Sequence, residues 1–310
     1  MSEVRSHRVD DAADLLAVVT AARQRIQRAD SRSGSRAQLL RDLDEWSNCE
    51  LGRWMLLHGG WDAHWARYCV DYPLTHAHDA HPPDTLEHFY LTSAPGIVAT
   101  QQRAAIFADV LAELVIDGTT AMAIPCGYMD ELLRLPNVSA AHSLIGMDAE
   151  RPALAGAADS AREHGLSAQT VLALGDAWNL AGAEVVSGDA DAYAQAVAGG
   201  TDVMVSNGLN MYVPDDAEVI ALYRCLRAPL RRFGTLVVSA LTPPDTWDLA
   251  DVAPEVITRV RGLMLINPMM WGNYRSVDTT TAQLRDAGFE VREVRWDQRR
   301  IFPTYVATAV

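Results

Sequence analysis

The sequence predicts an α/β fold: a Rossmann-like, doubly wound, seven-stranded sheet with an antiparallel C-terminal strand and an N-terminal helical cap. Three observations predict it. From about residue 118 onward, short apolar runs alternate with longer amphipathic segments, the pattern of βα units feeding a parallel sheet. The last two apolar runs, FEVREVRWDQ and FPTYVATAV, follow one another with no helix between them, so they must pair antiparallel. Residues 1–100 show no such alternation and read as helices.

The elements follow in order. The segments DDAADLLAVVTAARQRIQRA and SRAQLLRDLDEWSNCELGRWMLL carry helical periodicity, and a Pro/His-rich loop, YPLTHAHDAHPPDTL, comes after them. Residues 1–100 thus form a cap or lid, and residues 101–310 the ligand-binding domain. That domain opens with the helix QQRAAIFADVLAELVIDG, followed by strand TAMAIPC, a short helix at DELLRL and strand HSLIGMD. Helix ERPALAGAADSAREHG, strand QTVLALGDAW, helix DADAYAQAVAGG and strand DVMVSNGL come next. The fifth unit is helix DDAEVIALYRCLRAPLRRFG and strand TLVVSAL; helix TTTAQLRDAGF precedes the terminal pair. Between them, residues 242–278 form an irregular insertion bearing Trp247, Trp271 and Tyr274. So long a loop inside a domain is usually functional, and this one is expected to contribute to a substrate pocket.

Composition narrows the function. A chain of 310 residues with 49% apolar content can bury a full core. Its net charge of −14 repels phosphate backbones, and the richest basic stretch, residues 21–41, is diluted by Ser, Ala and Asp, so no nucleic-acid partner is expected. The four cysteines form no CxxC pair in a chain too large to need staples, and free thiols point to a reducing cytoplasm. The polar start MSEVRSHRVDDAADLL has no apolar core of a signal peptide, and no later run approaches the ~20 apolar residues of a membrane span. The reading is a cytoplasmic protein without a membrane partner, with the N-terminal helices as the surface for a homodimer.

Parallel sheets bind ligands outside the carboxyl ends of their strands, so the strand tips carry the chemistry. The first strand ends in IPCGY, the second in Asp148, the third in GDAW and the fourth in SNGLNMY. An acid at the second tip, about twenty residues past a glycine turn, is placed to accept hydrogen bonds from ribose hydroxyls. With these tips and the reversed pair AGFEVREVRWDQ…FPTYVATA, residues 100–310 resemble the class I S-adenosylmethionine-dependent methyltransferases. The resemblance implies S-adenosyl-L-methionine as cofactor. Cys126, Gly127 and Tyr128 would pass under its methionine moiety, Asp148 would hold the ribose, Asp176, Ala177 and Trp178 would flank the adenine, and Ser206 and Asn207 would complete the set. The usual turn reads close to DxGxGxG, whereas AMAIPCGYM has one glycine and no acid before it. A nicotinamide-dependent oxidoreductase is opposed more strongly by this turn, because a pyrophosphate needs GxGxxG ahead of a helix N-terminus. A catalytically silent cofactor-binding regulator is the remaining rival. Asp148 also suits a plain helix N-cap, Asp176 a turn, and Trp178 the core.

Methyl transfer needs an acceptor nucleophile held in line, with a base where a proton must leave. Asn210 and Tyr212 of the fourth-strand loop and His64 are the candidate catalytic groups. Tyr90, Trp271, Tyr274 and His58 are candidate substrate walls, suited to a small planar or aromatic acceptor. In HGGWDAHWARYCVDY, positions 61, 65, 68 and 72 share helical spacing, which reads first as one buried face. The stretch LTHAHDAH sets His76, His78, Asp79 and His81 within six residues and approaches the metallohydrolase pattern HxHxDH, but with Asp and the small residue exchanged. No later cluster supplies further ligands, and no metal site is expected.

Overall fold

The computed structural model describes residues 15–76, 85–268 and 272–310. In chain order the helices are α1 (Leu15–Arg28), α2 (Arg36–Asn48), α3 (Glu50–His58), α4 (Ala63–Thr75), α5 (Leu86–Ser93), α6 (Pro95–Leu114), α7 (Asp130–Leu133), α8 (Arg151–Glu163), α9 (Ala190–Gln195), α10 (Asp216–Arg227), α11 (Pro254–Ile266) and α12 (Val277–Asp286). The strands are β1 (Thr120–Ala123), β2 (Ser143–Asp148), β3 (Thr170–Leu174), β4 (Glu184–Ser187), β5 (Thr201–Ser206), β6 (Leu230–Ser239), β7 (Phe289–Arg295) and β8 (Thr304–Ala309). They fall into two compact units. Gln102–Trp247 with Asn273–Val310 carries the sheet, and the described residues up to Gln101 with Asp248–Gly272 form a helical unit.

The sheet order is β4-β3-β2-β1-β5-β6-β8-β7. β1 lies parallel to β2 and β5, β2 to β3, and β5 to β6, whereas β8 runs antiparallel between β6 and β7. The antiparallel terminal pair is therefore as the sequence predicts. The sheet has eight strands rather than seven, because EVVS forms β4, antiparallel to β3 at the edge. Four residues with Val186 exposed offer no period to read, and an edge strand needs no continuous apolar run. The strands inside the sheet are covered on both faces. Ile145 and Met147 of β2 join one apolar cluster with Met204 and Tyr223, while Leu144 joins the other with Val203, Val205 and Phe107.

Two further boundaries differ from expectation. α10 ends at Arg227, and LRRFG begins β6 instead of continuing the helix. Ala228 keeps helical backbone, but Pro229 has no amide hydrogen to continue the ladder, and its carbonyl is taken by the Thr201 amide, which starts the β5–β6 pairing. The 242–278 insertion is not irregular throughout: it contains α11, whose Leu263 and Ile266 are buried with Leu39, Trp46 and Leu51 in the core of the helical unit. Arg25 of α1 holds the end of this helix, donating from Nε to Leu265 O at 2.9 Å and from Nη2 to Ile266 O at 2.7 Å. The long helical run ending in WMLL is broken at Cys49, which caps both α2 and α3 in extended conformation.

Candidate active site

The site begins in the turn after β1. The Cys126 amide donates to Met147 O at 2.9 Å, which lays the turn beside the end of β2. Gly127 (φ 50°) and Met129 (φ 59°) then carry the chain through left-handed backbone. Glycine adopts this without penalty, while the wholly buried Met129 bears strain on the order of 1 kcal/mol and starts α7 with its carbonyl, which accepts from Leu132 and Leu133. The Gly127 amide donates to Asp148 Oδ2 at 3.0 Å, and the Glu150 amide to Asp148 Oδ1 at 3.0 Å. Asp148 thus ties the tip of β2 to the β1 turn and to the entry of α8. It is 9% exposed, and burial pushes its carboxyl up to about 6 against the pull of these amides. Acceptor capacity remains on the carboxylate for a ligand.

Cys126, Gly127 and Asp148 are therefore brought together. Burial, with Asp148 and Glu131 nearby, holds the Cys126 thiol well above its ordinary range, so it serves packing and not nucleophilic chemistry. The ring of Tyr128 lies on α8 at Gly156, where a Cβ would come within 2.1 Å of Cε1. The ring is thereby turned toward α8. At the tip of β3, Asp176 Oδ1 accepts from the Trp178 amide at 3.0 Å in a local turn. Ala177 is buried, and Trp178 packs against the apolar cluster of β2 and β3, so the turn and core readings of this segment hold.

A second group of polar side chains converges at the tips of β1, β5 and β6, and the sequence reading did not contain its two charged members. Glu131, on the first turn of α7, is partly exposed, and Asn207 Nδ2 donates to its Oε2 at 3.5 Å. Asn207 Oδ1 in turn accepts from Ser239 Oγ at 3.1 Å, which orients the amide. Burial, together with Asp130, pushes the Glu131 carboxyl up to about 7, although Asn207 and the field of Arg103 oppose the shift. Arg103 of α6 places Cζ 4.5 Å above the ring of Phe302 and Nη1 3.9 Å from Met211 Sδ. Burial draws its pKa down to about 10, with Tyr212, Glu131 and Asp297 acting in the opposite sense. A carboxyl raised toward neutrality by burial is suited to general acid–base chemistry.

Both residues left a trace in the sequence. Arg103 stands at the head of a stripe continued by the buried Phe107, Val110 and Leu111, where an apolar residue is expected. Glu131 reads locally as an ordinary acid in the first turn of a helix. Only the approach of β5 and β6 gives it partners.

The other predicted residues separate. Tyr212 joins the Arg103 group, partly exposed, its phenol raised by burial. Asn210 does not: it is 2% exposed and donates from Nδ2 to the buried Tyr223 hydroxyl at 2.6 Å, so its amide is a core fixture. Ser206 is buried at the end of β5. Tyr274 is 40% exposed and meets Trp247 edge to face, and Trp271 lies outside the described residues. In the helical unit, Tyr90 is 4% exposed and packs edge to face on Trp46 and Trp61, which makes it core and not a substrate wall. His58 stacks on Trp54, and His64 is exposed beside Trp65. His76 stacks on Tyr72, whereas His78, Asp79 and His81 lie outside the described residues. Among the described residues no group of three His, Cys, Asp or Glu is arranged to hold a metal ion, and no helix is long and apolar enough to cross a membrane.

The strand order and the reversed terminal pair define the Rossmann-like methyltransferase fold, with β4 added at one edge. The chain belongs to the same family as a possible exported protein from Bordetella parapertussis, with which it shares 32% identity over 98% of this chain and 97% of that one, at a TM-score of 0.84. It is also similar to a magnesium protoporphyrin IX methyltransferase from Synechocystis, at 13% identity over 97% and 100% of the two chains with a TM-score of 0.48. A third likeness is to an S-adenosylmethionine-dependent methyltransferase from Mesorhizobium loti, at 17% identity over 68% and 97% of the chains with a TM-score of 0.46. Nothing about the chemistry of this chain follows from the last two. No protein-family model and no curated protein matches the chain.

Proposed function

We propose that the protein is an enzyme that transfers the methyl group of S-adenosyl-L-methionine to an O, N or C nucleophile of a small acceptor. The observation that carries this reading is the bond between the Gly127 amide and the Asp148 carboxylate, which couples the β1 turn to the β2 tip where a ribose would be received. The donor set fits the cofactor. Asp148 keeps acceptor capacity for ribose hydroxyls, the Gly127 backbone allows close approach, and the turn offers no phosphate cradle, which a sulfonium does not need.

When bound, the cofactor supplies an electrophilic methyl on sulfur. Glu131 takes the proton that the acceptor loses, its carboxyl being raised toward neutrality by burial. Asn207, fixed by Ser239, holds the Glu131 carboxyl in place. Tyr212 and Tyr274 supply aromatic surface to a planar acceptor.

Calorimetric titration with S-adenosylhomocysteine tests the reading. Micromolar binding is expected, weakened by about 1–3 kcal/mol in Asp148→Ala, the usual loss for a partner of a buried polar group. Binding of NAD with none of the thioether would overturn it.

A further inference from the structure

We propose that Arg103 is the docking point for a carboxylate carried by the acceptor substrate, an inference that rests on the methyl-transfer reading. The guanidinium feels the fields of Glu131 and Asp297 without bonding to either carboxylate among the described residues. Its Nε is buried without a hydrogen-bond partner. Among the described residues it rests on the Phe302 ring and the Met211 sulfur, which hold its plane but offer its charge no carboxylate. Asp297 is not the missing partner. It is 3% exposed, and its oxygens accept from the amides of Arg299, Ile301 and Phe302, the last at 2.7 Å. That carboxylate shapes the loop that presents Phe302 to Arg103. Glu131, for its part, is engaged by Asn207.

A partly buried cation whose Nε lacks a partner is costly, and an incoming anion would offset that cost. The planar fork of arginine matches a carboxylate in bidentate fashion, and the Phe302 face favours a flat one. Position assigns the anion to the acceptor. The guanidinium touches the loop after β5 and the segment before β8, whereas the cofactor elements are the β1 turn and Asp148. An acceptor carboxylate on Arg103 would present the rest of the molecule to Glu131.

The test follows the melting temperature of the full chain against benzoate, benzamide and chloride at constant ionic strength, in wild type, Arg103→Met and Arg103→Lys. A ligand bound to the native state alone raises its stability by mass action. The expected result is a saturable rise of roughly 2–4 °C with benzoate and none with benzamide or chloride, abolished in Arg103→Met and partly kept in Arg103→Lys. Equal responses to benzoate and benzamide in wild type, or an undiminished benzoate response in Arg103→Met, overturn the proposal; the wild-type comparison decides alone should the Met variant not fold. Titration of the same proteins with S-adenosylhomocysteine separates the two readings. A benzoate response without thioether binding removes the methyl-transfer reading but leaves the anion site. Thioether binding weakened tenfold or more in Arg103→Met, with no benzoate response in wild type, overturns the proposal and gives the carboxylate to the cofactor.

Discussion

Glu131 shows how one side chain carries opposed demands. Its folded pKa of about 7 lies above the ordinary 4.5, so between these values the native chain binds more protons than the unfolded one. Its contribution to stability is present at low pH and is lost as pH rises toward 7, beyond which the cost is constant. Gln at this position has no charge to desolvate. Glu131→Gln is therefore expected to be more stable than wild type by about 1–2 kcal/mol at pH 8, a figure lowered from the full shift because the group is partly exposed, and no more stable near pH 4. Urea unfolding at the two pH values measures the difference. Methyl transfer should fall by about 10²–10⁴-fold in the same variant, and an unchanged rate would remove Glu131 from the proton transfer. None of this was legible locally. Asp148 could be placed from the sequence because its role depends on a strand tip; Glu131 could not, because burial beside Asn207 and Ser239 is a property of three strands at once.

Among the elements, the contact of the β1 turn with α8 turns on Gly156. A methyl there meets the ring of Tyr128, so Gly156→Ala is expected to cost about 1–3 kcal/mol despite the better helix propensity of alanine. In a Tyr128→Ala background the clash is gone and only propensity remains, so the same substitution should stabilise by up to about 1 kcal/mol. A double-mutant cycle by thermal unfolding checks this sign reversal; equal effects in the two backgrounds would mean that the ring does not rest on α8. Tyr128 itself was predicted from the turn it occupies, but its direction was not, since a turn motif fixes backbone and leaves the ring to whatever surface is nearest. The same holds for Asn210. Its loop was read correctly as the tip of a strand, yet its amide bonds the Tyr223 hydroxyl of α10.

Over the whole molecule, the net charge of −14 sets the partners that long-range electrostatics admits. No retention on heparin is expected even at about 50 mM salt, where attraction to a polyanion would be strongest. Retention would reveal a basic surface that the average charge conceals. At this scale the sequence by itself determined the succession of helices and strands, the antiparallel end of the sheet and the acid at the tip of β2. Periodicity, turn chemistry and loop length are local properties, and each is written in neighbouring residues. Only the tertiary structure decided that EVVS is an edge strand, that α11 belongs to the core of the helical unit, that Tyr90 is enclosed by Trp46 and Trp61, and that Arg103 and Glu131 feel one another's charge. These outcomes rest on burial and on the meeting of residues distant in the chain, and desolvation of a charge exists only once the fold has removed the water around it.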